Sequence, residues 1–184
     1  MEYERLKQNA IKKAQYRKKK HKVENMSTQD YRATYLQKEF NAIARVIDFG
    51  QLCISHRQPP KKKNGGHYHS VGGNETLALN LHNIHLQSEY SNTHKNGDQT
   101  KYRKGLIEEY KEGYAEFVDM TLMQCPPLHL TKEQMISIYT AVSKIRRELD
   151  STKKVLTPNQ RIELRNKINI KLGIYPKKFC IFEI

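Results

Sequence analysis

The chain has 184 residues, with 33 Lys plus Arg against 19 Asp plus Glu and a formal net charge of +14. Only 37% of residues are hydrophobic, which predicts a modest globular centre with polar helical appendages. No apolar run reaches about 18 residues, the opening MEYERLKQNA has no apolar core, and three cysteines (Cys53, Cys125, Cys180) lie far apart; these features predict no transmembrane helix, secretory signal or disulfide framework, and a reducing cytosol with no membrane partner. The charge excess points to a nucleic-acid phosphate backbone.

In chain order, residues 1–26 form a basic arm. Nine Lys/Arg stand against three Glu in residues 1–24, and the apolar stripe of Leu6, Ala10, Ile11 and Ala14 is thin. Such a segment reads as a frayed basic helix that gains order on phosphate. Ser27 or Thr28 caps a second helix with a broad apolar face (Tyr31, Tyr35, Leu36, Phe40, Ile43, Ala44, Val46, Ile47) ending near Gly50. From 51 to 98, Gly and Pro mark turns with short strands. Leu77, Leu79 and Leu81 alternate with Ala78, Asn80 and His82, which predicts a half-buried strand. The next apolar residues, Ile84 and Leu86, are out of step, so a bulge or tight loop at His82–Asn83 aims Asn83 somewhere particular. A helix is predicted from Tyr102 to about Leu122, stopped by Pro126 and Pro127. Thr131 with Gln134 forms a capping-box pattern for the next helix, and Thr157 before Pro158 starts the last, which runs to about Leu172. Phe179 to Phe182 is an edge strand or a packed tail.

Six of the eight histidines fall in one stretch: His56, His67, His69, His82, His85 and His94. Histidines cluster where a metal or a proton is handled near neutral pH. The order His67, Asn83, Asn92 fits a metal-dependent nuclease. His67 on a first strand serves as general base to a water, Asn83 sits in the following loop, and Asn92 follows a second strand. Phosphodiester cleavage needs such a base and a cation to neutralise the scissile phosphate. A hard divalent ion, Mg²⁺ or Mn²⁺, suits that second task.

Further residues carry a family resemblance: Gly66-His67-Tyr68, Ser70-Val71-Gly72, Leu77-Ala78-Leu79-Asn80, Asn83-Ile84-His85 with Gln87, Asn92 with Gly97, and Tyr102-Arg103-Lys104-Gly105-Leu106-Ile107-Glu108. Leu36 to Asn41 and Cys53-Ile54-Ser55 also fit. Over about residues 35–122 the chain resembles the phage NinG (Rap) recombination endonucleases of the HNH, or ββα-metal, superfamily. The resemblance implies an α+β fold: a small central ββα unit in a nuclease domain at 27–122, flanked by the arm at 1–26 and a helical extension at 123–184. It implies a DNA endonuclease acting on branched recombination intermediates in the host bacterial cytoplasm, alongside phage or host recombination proteins. His67 is the implied general base, Asn83 the central Asn and Asn92 the third motif residue. His67, Asn92 and His85 are the implied metal ligands. A homodimer suits a two-fold junction substrate.

The chain departs from the family in three places. The family's two Cys-x-x-Cys zinc pairs read Cys53-Ile54-Ser55-His56 and Ser88-Glu89-Tyr90-Ser91 here. Serine is a poor zinc ligand, so a structural zinc is not expected and Cys53 with His56 is its remnant. The family's Leu-Arg-Phe-Asn stretch is Leu77-Ala78-Leu79-Asn80, and an acidic residue shortly before the His-Tyr pair has become Asn64 or Gly65. Expected phosphate contacts are Lys61, Lys62, Lys63, Lys95, Lys101, Arg103 and Lys104. The alternatives are a DNA-binding protein on a catalytically degenerate HNH fold, and an interaction protein that uses its C-terminal helices.

Overall fold

The computed structural model describes residues 2–94 and 98–184. The described side chains of helix α1 (Glu2–Glu24) are almost all exposed, as its sparse apolar residues require. Helix α2 (28–47) opens where Ser27 Oγ accepts the Asp30 N–H at 3.0 Å. A wider π-helical turn interrupts it at Arg32–Leu36. At this turn the Arg32 guanidinium binds the Glu75 carboxylate and main-chain carbonyl, tying α2 to the central loop. Leu36, Phe40, Ile43 and Ile47 are buried on one face of α2. At roughly 1.5–3 kcal/mol each, this stripe anchors the helix to the rest of the molecule.

Strands β1 (Lys63–His67) and β2 (Ile84–Ser88) pair antiparallel, with Gly65 opposite Leu86, Gly66 opposite His85 and His67 opposite Ile84. This two-stranded sheet lies on α2. The contact demands a small residue: a Cβ on Gly65 would lie 2.7 Å from the Asn41 backbone. Helix α3 (Gln99–Tyr110) follows the hairpin and packs on the 53–54 segment through Gly105, where a Cβ would meet the Ile54 carbonyl oxygen at 1.7 Å. The result is a ββα unit within an α+β fold.

Two predicted elements differ. Residues 77–81 are not a strand but belong to two 3₁₀ turns, Glu75–Leu79 and Leu81–Asn83. Asn74 Oδ1 accepts the Leu77 N–H at 3.2 Å, and Asn80 Oδ1 accepts the His82 N–H at 2.9 Å. These side chains offer the backbone a turn in place of a ladder. The segment from Leu77 to Asn83 is buried throughout, so the Leu/Ala alternation did not mark an exposed face. The slip at His82–Asn83 is real: the second turn delivers Asn83 to the start of β2. The helix predicted to span 102–122 is also broken. Lys111 takes φ +76°, and a new segment, α4 (112–124), begins. No Gly or Pro stands at the break, but the new direction brings the rings of Tyr114 and Phe117 onto His82.

Helices α5 (Lys132–Ser151) and α6 (Pro158–Leu172) start with the expected capping boxes at Thr131 and Thr157. Helix α5 lies along α2. Helix α6 inserts Arg165 into the core, where it is fully buried. The guanidinium contacts both carboxylate oxygens of Asp48 at 2.8 Å and the carbonyls of Leu81 and Ile84 at 3.0 and 3.3 Å. Asp48 in turn accepts the Leu86 N–H at 2.8 Å. The end of the chain packs as a tail, with Phe179 and Cys180 buried and Phe182 bonded to Asn166 through its main chain. Residues 123–184 thus share one core with the hairpin.

Candidate active site

The loop between the strands bounds a cavity of about 760 Å³. His67 at the end of β1, His69 two residues on, and Asn92 in the π-helical turn Tyr90–His94 after β2 all lie on its wall. Hairpin closure brings these residues together although 25 positions separate the first from the last. The Nε2 edge of His67 is held by the Ala78 carbonyl at 3.0 Å and the Gln37 carboxamide nitrogen at 2.9 Å. Burial lowers the His67 pKa to about 4, partly opposed by the Ala78 carbonyl. The imidazole is therefore neutral at physiological pH, as a proton acceptor must be.

Asn83 does not reach the cavity. It is fully buried behind the loop, and its carboxamide reads the main chain of His69 in both directions. Oδ1 accepts the His69 N–H at 2.8 Å, and Nδ2 donates to the carbonyls of His69 at 3.0 Å and Leu77 at 3.1 Å. Its role is to fix the loop that carries the histidines.

His85, an implied metal ligand, lies in the core and not on this wall. Its Nδ1 is 3.1 Å from the Tyr102 hydroxyl and its Nε2 is 3.2 Å from the Tyr114 hydroxyl. Tyr102 donates to the Gly66 carbonyl, while Tyr114 also meets His82 Nδ1 at 3.1 Å, whose Nε2 is 3.2 Å from the Cys180 carbonyl. His85 and His82 are thus links in a buried chain of hydrogen bonds. Burial, reinforced by the Arg165 charge, lowers both pKa values and keeps the rings neutral, His82 to about 3.

The four positions of the implied zinc site do converge. Cys53 Sγ accepts the Ser88 N–H at 3.2 Å, and His56 Nε2 lies 2.8 Å from Ser88 Oγ. Ser88 Oγ donates to Ser91 Oγ at 3.3 Å and accepts the Ser91 N–H at 3.2 Å. Hydrogen bonds link the knuckles that thiolates would otherwise hold around an ion. Among the described residues no group of three or more His, Cys, Asp or Glu is arranged to hold a metal.

Over residues 1–153 the sequence matches the family model described as bacteriophage lambda NinG protein. The chain belongs to the NinG family. No curated protein and no solved structure matches it. The family match ends close to the end of α5, so Arg165, which grips the carbonyls on either side of His82 and Asn83, lies outside the matched residues.

The basic residues of this NinG chain differ in how free they are. Lys61 is exposed just before β1 and Lys63 at its first position, and Lys62 pairs with Glu89 at 2.9 Å. Lys101 lies 3.5 Å from Asp98. Arg103 is committed to Glu112 at 2.6 Å and Asp119 at 3.3 Å. Lys104 is exposed and lines a second groove of about 430 Å³ that shares Tyr68 and Gln99 with the cavity. Lys95 lies outside the described residues. Sequence reasoning missed Gln37, which holds His67, and His69, which faces the cavity. The Gly66-His67-Tyr68 motif drew attention to His67 alone. Among the described residues no helix is long and apolar enough to cross a membrane.

Proposed function

We propose that this NinG-family protein is a metal-dependent DNA endonuclease of the HNH, or ββα-metal, type. The supporting observation is the placement of His67 and Asn92 on one cavity wall, with Asn83 locked behind the loop that bears His69. His67 is neutral at physiological pH and can take a proton from an attacking water. The negative phosphate, once seated, raises the proton affinity of the imidazole next to it. Asn92, with the His69 imidazole beside it, provides the donor set for a divalent cation. When bound, such an ion supplies charge neutralisation at the scissile phosphate and leaving oxygen. Lys104, in the groove that shares Tyr68 and Gln99 with the cavity, and the exposed Lys61 and Lys63 supply charge for the DNA backbone, and α1 adds a basic arm.

NinG membership supports branched recombination intermediates as the substrate. The test is incubation of the purified protein with four-way junctions and with linear duplex, each in Mg²⁺, Mn²⁺ or Co²⁺. Divalent-dependent nicking of the junction is expected; intact DNA under every condition refutes the reading. A second reading, DNA binding without cleavage, is favoured by one observation: no carboxylate stands among the described residues lining the cavity. It predicts binding with a steep salt dependence and no product.

A further inference from the structure

Three of the chain's histidines offer an internal comparison. The two fully buried ones, His82 and His85, have both ring nitrogens occupied by protein groups. Those are the contacts of a histidine used to satisfy a core. His69 is built differently. Its Nε2 lies 2.8 Å from the Val118 carbonyl. A carbonyl oxygen can only accept, so Nε2 carries the proton and Nδ1 keeps its lone pair. Among the described residues Nδ1 has no hydrogen-bond partner, and the residue lines the cavity.

The remaining freedom of His69 is removed by its neighbours. The Asn83 carboxamide pins both the N–H and the C=O of its main chain. The Tyr68 ring packs edge-on against the imidazole at 4.8 Å. An imidazole with one N–H given to a backbone carbonyl and the other nitrogen bare is the arrangement by which proteins prepare a histidine for a metal.

We propose that His69 is a divalent-cation ligand through Nδ1, completing a site with Asn92 beside the general base His67, and that this site prefers nitrogen-accepting ions such as Co²⁺, Ni²⁺ or Zn²⁺ over Mg²⁺. The inference rests on the reading of the cavity as a metal-dependent active site. The preference follows from the donors: the wall offers an ion the His69 imidazole and carboxamides but no carboxylate among its described residues. Mg²⁺ favours an all-oxygen shell, whereas imidazole suits the later transition ions. His69 thus supplies a donor where the acidic residue before the His-Tyr pair has become Asn64 or Gly65.

Co²⁺ is the probe, because its visible spectrum reports coordination and its binding is read by calorimetry without any DNA. Wild type should take up one Co²⁺ at least tenfold more tightly than Mg²⁺, and His69→Ala should weaken Co²⁺ at least tenfold. The clamp from Asn83 is to main-chain atoms, so this variant keeps it. A Zn²⁺ titration of wild type, followed on the imidazole ¹⁵N resonances, covers the case of a misfolded variant: Nδ1 of His69 should shift while Nε2 stays protonated. Co²⁺ affinity unchanged in a folded His69→Ala, a His69 resonance that ignores Zn²⁺, or Mg²⁺ bound as tightly as Co²⁺ would each overturn the proposal. Co²⁺ binding through His69 in a protein that cuts no DNA removes the nuclease reading and leaves the ligand assignment. Cleavage by a protein whose metal ignores His69 does the reverse.

Discussion

Replacing Asn83 with Ala perturbs the loop that carries His69 without touching the cavity wall. The substitution deletes three hydrogen bonds, to the His69 N–H, the His69 carbonyl and the Leu77 carbonyl. A buried polar group left without a partner costs about 1–3 kcal/mol. The two His69 groups border the cavity, so water can reach them, whereas the Leu77 carbonyl sits among buried residues. The net loss should be about 2–4 kcal/mol, which for a chain of this size lowers Tm by about 5–15 °C. Asn83→Asp should fare no better at neutral pH: a carboxylate still accepts the His69 N–H but faces two carbonyl oxygens. Urea titration followed by far-UV circular dichroism reads the stability, and Co²⁺ calorimetry reads the loop. An Asn83→Ala protein that melts within about 1 °C of wild type would refute the clamp.

Other consequences follow from the same contacts. Arg165→Met leaves the buried Asp48 carboxylate with the Arg161 guanidinium at 3.7 Å as its cation and should cost about 3 kcal/mol in a denaturant titration; a loss under about 1 kcal/mol would show that α6 is not the clasp described. Acid should destabilise the fold earlier than carboxylates alone would. The ordinary histidine value is 6.5, the folded values are about 4 for His67 and about 3 for His82, so between these limits the unfolded chain binds more protons. Stability is complete above pH 6.5 and falls as pH drops, by roughly 3 kcal/mol at pH 4 through His67 alone at about 1.4 kcal/mol per pH unit. A denaturation midpoint that stays flat from pH 6.5 to 5 would contradict this. In a His69→Ala background, which removes the proposed cavity ligand, the Cys53, His56, Ser88, Ser91 quartet predicts that a chelator leaves Tm unchanged, while adding Ser88→Cys with Ser91→Cys gains one Zn²⁺ per chain. Elemental analysis checks both, and stoichiometric zinc in the His69→Ala protein would contradict the first.

The sequence was informative where local chemistry and long-range packing agree. Ser27, Thr131 and Thr157 marked helix starts because a cap depends only on the next three residues. Asn83 was singled out because the hydrophobic register slips beside it, and that slip is a backbone turn. The strand predicted at 77–81 failed because alternation reports an exposed face only when one exists. The six clustered histidines could not be sorted from spacing alone. Which ring faces a tyrosine and which faces a cavity depends on the tyrosines of α3 and α4, 17 to 32 residues further on. Arg165 was invisible for a similar reason: its acid partner Asp48 lies 117 residues earlier.

The central claim is that His67 and Asn92 act on a phosphodiester in this cavity. It is tested most directly by single-turnover cleavage of a saturating four-way junction with wild type, His67→Ala and Asn92→Ala, with DNA affinity measured in parallel. The account predicts that wild type cuts, and that both variants bind the junction as wild type does but cut at least a hundredfold more slowly. Equal cutting by His67→Ala, or loss of cutting that merely tracks loss of DNA binding, would contradict it.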